Sequence, residues 1–205
     1  MSSAETLLPA SFFRREALDL ARALLGRWLR HGQVVLAITE VEAYRGPADT
    51  ACHAAKGRTP RTAALWSSPG RLYVYTCYGL HQMLNIVSGP ENGAGAAVLV
   101  RACAPVAGLD IVRARRGERT GPVLLDGPGK VGAAIGLNGT FNFQPLWEPR
   151  GVELLHGVPA KQVLAGRRIG IDYATPEDRE APWRLAVDGT PWVGHRRLLA
   201  PEVSA

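Results

Sequence analysis

The run Val34-Val-Leu-Ala-Ile-Thr-Glu-Val-Glu-Ala-Tyr44 limits the folds open to this chain more than any other stretch. It is β-branched at its start and alternates toward its end, which predicts a strand, or two strands joined at a bend. Side chains alternate across a strand, so Ile38, Glu40, Glu42 and Tyr44 are expected on one face. A strand that carries two carboxylates and a phenol on one side needs either solvent or a polar site against that side. An isolated glutamate pair reads as a solvent-facing pair on an edge strand. Here the following loop adds His53, Arg58 and Arg61, and a carboxylate drawn into an apolar pocket can accept a proton from water near neutral pH.

The segments around this strand do not follow a regular βαβ rhythm. From Phe13 through Ala17, Leu20, Leu24 and Trp28 the apolar spacing is three and four, which predicts an amphipathic helix that breaks up near Gly26. Residues 46–68 are rich in Gly, Pro, Thr and Ala and read as a long functional loop or one containing short helical turns. Leu72 to Thr76 and Leu84 to Ser88 flank Gly79 and predict a hairpin with its tip at Cys77 to His81. Further strands are expected at 96–102, 152–155, 167–172 and 183–187. Helices are expected at 108–116, stopped by Gly117, and at 131–137. Helices and strands mixed in this way define an α+β domain.

Two hundred and five residues suffice for one sizeable core, so a single domain over 1–205 is expected, with 1–10 and 199–205 flexible. The best candidate for a membrane span, Ala94 to Leu109, is interrupted by Arg101 and Pro105, so no membrane association is expected. The start Met1-Ser-Ser-Ala-Glu5 shows no secretory pattern, and Cys52, Cys77 and Cys103 lack CxxC spacing, which together favour an intracellular protein without disulfides. The net charge of +6 favours a polyanionic partner. Its five histidines show no HxxxH or HExxH pattern, so neither a metal nor a cofactor is expected. Asp126-Gly-Pro-Gly-Lys130 is not a P-loop, since the earlier glycine and the Ser or Thr after the lysine are absent, although a glycine-flanked lysine at a helix start can hold a single phosphate.

Three of the five tyrosines fall between residues 73 and 78. Alternation puts Tyr73 and Tyr75 on one face of the hairpin, where a core role is expected for Tyr73 or Tyr75. Tyr78 sits at the tip with little to pack on. Such a tip can act as a wedge in DNA, because stacking of an aromatic on a base is worth roughly 1–3 kcal/mol and so offsets part of the cost of extruding a nucleotide.

The ordered set Thr39-Glu-Val-Glu-Ala-Tyr44, Gly46-Pro-Ala-Asp49, His53, Gly57-Arg-Thr-Pro-Arg61, Pro69-Gly70, Leu72-Tyr-Val-Tyr75, Tyr78-Gly79, Met83-Leu-Asn85, Val98-Leu-Val-Arg101-Ala102, Pro105, Gly108-Leu109 and Gly127-Pro-Gly-Lys130 resembles the alkyladenine DNA glycosylases, also called 3-methyladenine or methylpurine DNA glycosylases. The resemblance runs over most of residues 12–195. It implies a metal-independent, monofunctional enzyme of base excision repair that flips an alkylated or deaminated purine out of damaged double-stranded DNA and leaves an abasic site. Glu42 would activate water for attack on C1′ through an oxocarbenium-like transition state, and Arg101 would help place that water. Tyr44, His53 and Tyr75 would enclose the base, with Asn85 at the pocket floor. Tyr78 would intercalate, and Arg58, Arg61 and Lys130 would contact the DNA backbone. The expected fold is a single α+β domain with a curved, largely antiparallel sheet, flanking helices and a protruding hairpin, acting as a monomer in the cytoplasm and nucleoid, or in the nucleus of a eukaryote. Residues 113–121 have no residue-by-residue counterpart and 145–166 match loosely, so the ranking of 3-methyladenine, 7-methylguanine, hypoxanthine and ethenoadenine does not follow. A non-catalytic nucleic-acid-binding module is the alternative, and it would leave Glu42 without a role.

Overall fold

The computed structural model describes residues 3–202. Its centre is one antiparallel sheet. The nine strands among the described residues are β1 (Trp28–His31), β2 (Val34–Tyr44), β3 (Leu72–Cys77), β4 (His81–Ser88), β5 (Ala96–Ala107), β6 (Glu153–Leu155), β7 (Val163–Gly166), β8 (Arg184–Val187) and β9 (Ala200–Pro201). The order is β3-β4-β5-β2-β8-β7-β9, with β1 paired to the first part of β2 and β6 to β1. The helices are α1 (Ala17–Leu24), α2 (Leu109–Arg116), α3 (Pro128–Ile135) and α4 (Pro176–Glu180). The α+β expectation holds.

One face of the sheet is core. Leu72 and Val74 of β3, Leu84 and Ile86 of β4, Val98 and Val100 of β5, and Leu36, Val41 and Ala43 of β2 join Leu20 and Leu24 of α1, Val112 of α2, and Val131 and Ile135 of α3. The odd-numbered residues of β3, β4 and the first half of β5 point the other way, onto a second layer made of residues 51–66 and 169–173.

Val34–Tyr44 is a single strand, but it does not alternate throughout. Opposite β5, Ile38 pairs with Cys103 and Glu40 with Ala102, while Val41 pairs with Val100. Thr39 is therefore an extra residue on β2 and Arg101 an extra residue on β5. Each bulge reverses the parity of its strand and re-aims the side chains beyond it. Ile38 thus falls in the core with Leu36 and Val41, and the expectation that it shares the face of Glu40, Glu42 and Tyr44 is corrected.

Other boundaries also move. The first helix starts at Ala17 rather than Phe13 and ends at Leu24, at the break expected near Gly26, while Trp28 opens β1 opposite Ala37 and Leu155. Gly26 forces this, since it has φ +83° and an added Cβ would lie 1.9 Å from the carbonyl oxygen of Val158. Residues 167–172 form no strand: the backbone amide of Ile169 is spent on the Glu42 carboxylate, and Gly170 turns the chain with φ +76°. α3 runs Pro128–Ile135 and is stopped by Gly136, so it starts three residues and ends two residues before the expected 131–137. The hairpin and the helix stopped by Gly117 lie where expected. Within the segments expected to be flexible, Leu7 bridges Leu155, Leu8 is buried, and Ala200 and Pro201 pair with β7; residues 1, 2 and 203–205 lie outside the described residues.

Candidate active site

Between the sheet and the second layer lies a cavity of about 430 Å³. Tyr44 from β2, Tyr73 and Tyr75 from β3, Asn85 from β4, Leu99 and Arg101 from β5, and His53 from the loop line it. Ile169, Gly170 and Tyr173 close it from the segment after β7, while Arg61, Cys77 and Tyr78 stand at the hairpin side.

Glu42 lies behind this lining and is fully buried. One carboxylate oxygen, Oε1, accepts from the Ile169 amide at 2.7 Å and faces Arg101 Nη1 at 3.2 Å, while Oε2 accepts from the Tyr44 hydroxyl at 2.9 Å. Arg101 is the bulged residue of β5, and the bulge lets one guanidinium reach both carboxylates. Its Nε donates to Glu40 Oε1 at 2.9 Å. Glu40 is held in turn by Arg184 Nη1 at 3.2 Å and by the Gly194 amide at 2.6 Å. Two carboxylates and two guanidiniums thus cancel within the protein interior, as buried charge requires. Burial opposes the Arg101 cation, but Glu42 and Glu40 outweigh it and hold its pKa above the ordinary arginine value. The sequence suggested an apolar pocket for Glu42, and the structure gives it a polar one.

Tyr44 is fixed from behind. The Arg168 guanidinium lies 4.8 Å from the centroid of its ring and makes a bidentate pair with Asp49, at 2.6 and 2.9 Å. Asp49 also accepts the backbone amides of Arg45 and Ala51, which sets the start of the loop that carries His53. Burial, then the Glu42 charge, raise the Tyr44 pKa well above that of a free phenol.

His53 Nδ1 is 2.8 Å from the Tyr73 hydroxyl, and its ring meets that of Tyr75 edge-on with centroids 4.7 Å apart. Burial first, then Arg61 and Lys56, lower its pKa, so the imidazole is neutral at pH 7 and offers one acceptor and one donor nitrogen. Desolvation pushes the Tyr73 phenol up to about 12. Tyr73 is buried as expected, and its hydroxyl also orients His53. Asn85 donates to the carbonyls of Tyr73 and Met83 at 3.1 and 3.3 Å, which locks its amide against the cavity wall.

The hairpin tip is built for display. Tyr78 is 89% exposed with φ +52°, Gly79 follows with φ +69°, and the Leu80 amide closes the turn on Cys77. An L-residue with a tyrosine side chain seldom adopts such a φ.

Of the residues singled out from sequence, Glu42, Arg101, Tyr44, His53, Tyr75, Asn85, Tyr78 and Arg61 converge on the cavity. Arg58 is exposed outside it, and Lys130 is tied to Asp126 at 2.6 Å on α3, two residues beyond Pro128 on the cavity rim. Sequence reasoning did not find Arg168, Arg184 or Tyr173, because a buried arginine or a loop tyrosine carries no local signature. Among the described residues no three His, Cys, Asp or Glu side chains are grouped to hold a metal ion, and no helix is long and apolar enough to cross a membrane.

Residues 11–191 match the family described as methylpurine-DNA glycosylase. The chain belongs to this family. It is 56% identical over 195 residues to a protein of Nitrosococcus oceani named provisionally as a 3-methyladenine DNA glycosylase, covering 95% of this chain and 96% of that one. It is 55% identical over 189 residues to the DNA-3-methyladenine glycosylase of Arabidopsis thaliana, covering 91% of this chain and 74% of that one. Membership in the methylpurine-DNA glycosylases gives the chain a glycosylase activity on alkylated purines, in DNA repair.

Proposed function

We propose that this chain is a monofunctional glycosylase that rotates an alkylated or deaminated purine out of damaged duplex DNA into the 430 Å³ cavity and hydrolyses its N-glycosidic bond, the first step of base excision repair. The observation that carries this is a charge-paired, fully buried Glu42 directly behind an aromatic cavity whose mouth bears an 89% exposed tyrosine.

A carboxylate has about four acceptor positions. Ile169, Arg101 and Tyr44 occupy three on Glu42, and the fourth is the one the attacking water would take. That water's oxygen bonds to C1′ and its proton passes to Glu42. The electron pair of the C1′–N9 bond leaves with the purine, and the developing oxocarbenium charge faces the Glu42 carboxylate. Arg101 pairs with Glu42 and helps place the water. Tyr44 and Tyr75 flank the base, and alkylation favours them because a cationic purine is drawn to the face of an aromatic ring. Neutral His53 hydrogen-bonds the base edge, while Asn85 narrows the floor against a normal guanine. Tyr78 fills the space left in the duplex. Arg58, Arg61 and Lys130 contact phosphates. One chain supplies every group of the site, which fits action as a monomer on intracellular DNA.

The test is release of free 3-methyladenine from alkylated duplex DNA, with an abasic site and an uncut strand as the other products. Glu42→Gln lowers the single-turnover rate by about 10²- to 10⁴-fold, the usual worth of a general base, while duplex binding persists. Undiminished release by that variant rules out the role of Glu42.

A further inference from the structure

The most exposed large apolar or aromatic side chains among the described residues are Tyr78 (89%), Leu80 (79%), Tyr173 (67%) and Val158 (65%). Val158 belongs to the turn packed on Gly26. Of the other three, Tyr78 and Tyr173 line the cavity, and Leu80 is two residues from Tyr78 on the hairpin tip. Scattered single apolar residues on a surface need no explanation, but a group around a cavity does.

Tyr78 and Tyr173 come from opposite sides. The hairpin β3–β4 lies at one edge of the sheet, and the segment bearing Tyr173 follows β7, with β5, β2 and β8 between them in the sheet order. Tyr173 is also held in place. Its hydroxyl donates to the Ala51 carbonyl at 2.9 Å, so the tip of its side chain is anchored on the loop that leads to His53. Further along, Thr50 bonds Thr175 and Asp178, which clasps the two loops together outside the cavity. Anchored at one end and open along the ring, Tyr173 has the form of a stacking platform.

We infer that Tyr173 is a second lip of the base pocket, which stacks on the flipped nucleotide at the mouth opposite Tyr78 and retains it there. This rests on the proposed base-flipping function and names a residue that acts in it before bond cleavage. Tyr173 contributes retention by its ring, and its hydroxyl serves to orient that ring.

The experiment follows the fluorescence of a single ethenoadenine in a duplex on mixing with wild type, Tyr173→Phe, Tyr173→Trp and Tyr173→Ala, each checked for an unchanged thermal midpoint. Tyr173→Ala is expected to lower the flipping equilibrium between about 5-fold and about 150-fold, the range for removing one aromatic from a base. Phe and Trp restore most of it. Association with undamaged duplex and its salt dependence stay at wild-type values in all three variants. Equal losses in the Phe and Ala variants would show that only the bond to Ala51 matters and would overturn the inference, as would a wild-type equilibrium in the Ala variant. If the wild-type protein itself neither quenches ethenoadenine nor releases any alkylated purine, it is the proposed function that fails.

Discussion

Glu40→Gln tests whether the charge cluster beneath the cavity is a single balanced unit. Glu40 is 1% exposed and receives Arg101 Nε at 2.9 Å, Arg184 Nη1 at 3.2 Å and the Gly194 amide at 2.6 Å. Glutamine keeps the shape but removes one of two negative charges, and its amide nitrogen must face a donor from either Arg101 or Gly194. Arg101 retains Glu42, whereas Arg184, with no exposed surface, keeps only backbone carbonyls. Leaving one partner of a buried pair uncompensated costs about 3–5 kcal/mol, a large part of the roughly 5–15 kcal/mol of a typical domain. With an m-value of about 3 kcal/mol/M, the urea midpoint should fall by about 1–1.7 M. The double variant Glu40→Gln with Arg184→Met removes both charges of the orphaned pair, so it should cost less than the sum of the singles by about 0.5–3 kcal/mol. Glycosylase activity of Glu40→Gln should fall less than that of Glu42→Gln. A midpoint shift under about 0.3 M, or strict additivity in the double variant, would show that solvent already screens the cluster and would refute the argument.

Because the folded-state pKa of His53 is depressed, the unfolded chain binds more protons below its unperturbed pKa of about 6.5, so stability falls as pH drops through that region. Urea titrations at several pH values should show that His53→Gln flattens this dependence on the acid side, and an unchanged slope would count against the depressed pKa. Gly132→Ala puts a Cβ 2.1 Å from the Gln82 carbonyl oxygen, where α3 meets β4 beside the hairpin tip. Overpacking of this kind costs about 1–3 kcal/mol, and thermal unfolding should show it together with weaker DNA binding. Replacing Arg58 and Arg61 together by glutamine should reduce the slope of log K against log salt on duplex DNA by up to about 1.8, or about 0.9 per phosphate contact; an unchanged slope would remove both from the interface.

The hairpin was legible because two alternating runs flank a glycine, and the outcome depends only on local pattern. The long β2 was legible as a strand for the same reason, and with it the shared face of Glu40, Glu42 and Tyr44. Its bulges were not legible. Thr39 and Arg101 are extra residues only relative to each other's strand, so neither can be recognised until the register is known. The same limit hid Arg168 and Arg184. In a chain whose basic residues are mainly arginine, a buried guanidinium looks like a surface one until its partners, Asp49 and Glu40, are found 119 and 144 residues away. Residues 167–172 were misread because their alternation is real, but the amide that would join a ladder serves Glu42 instead.

The two bulges also explain why stability and chemistry are joined in one part of the site and separable in another. They place Glu40, Glu42 and Arg101 on one face and bury them in the folded chain, so under the proposed function the desolvation of the general base is met during folding rather than during binding. Substitutions in that cluster therefore perturb folding and bond cleavage together. The rim is the reverse case. Tyr78 and Tyr173 give little to the folded state, since most of their surface faces solvent, and on the proposed function they would be buried only when a nucleotide enters. Substitutions there should move the flipping equilibrium while leaving the unfolding midpoint near its wild-type value. On the proposed function, a site divided in this way would retain a flipped nucleotide by stacking at the mouth without altering the charge balance behind the cavity.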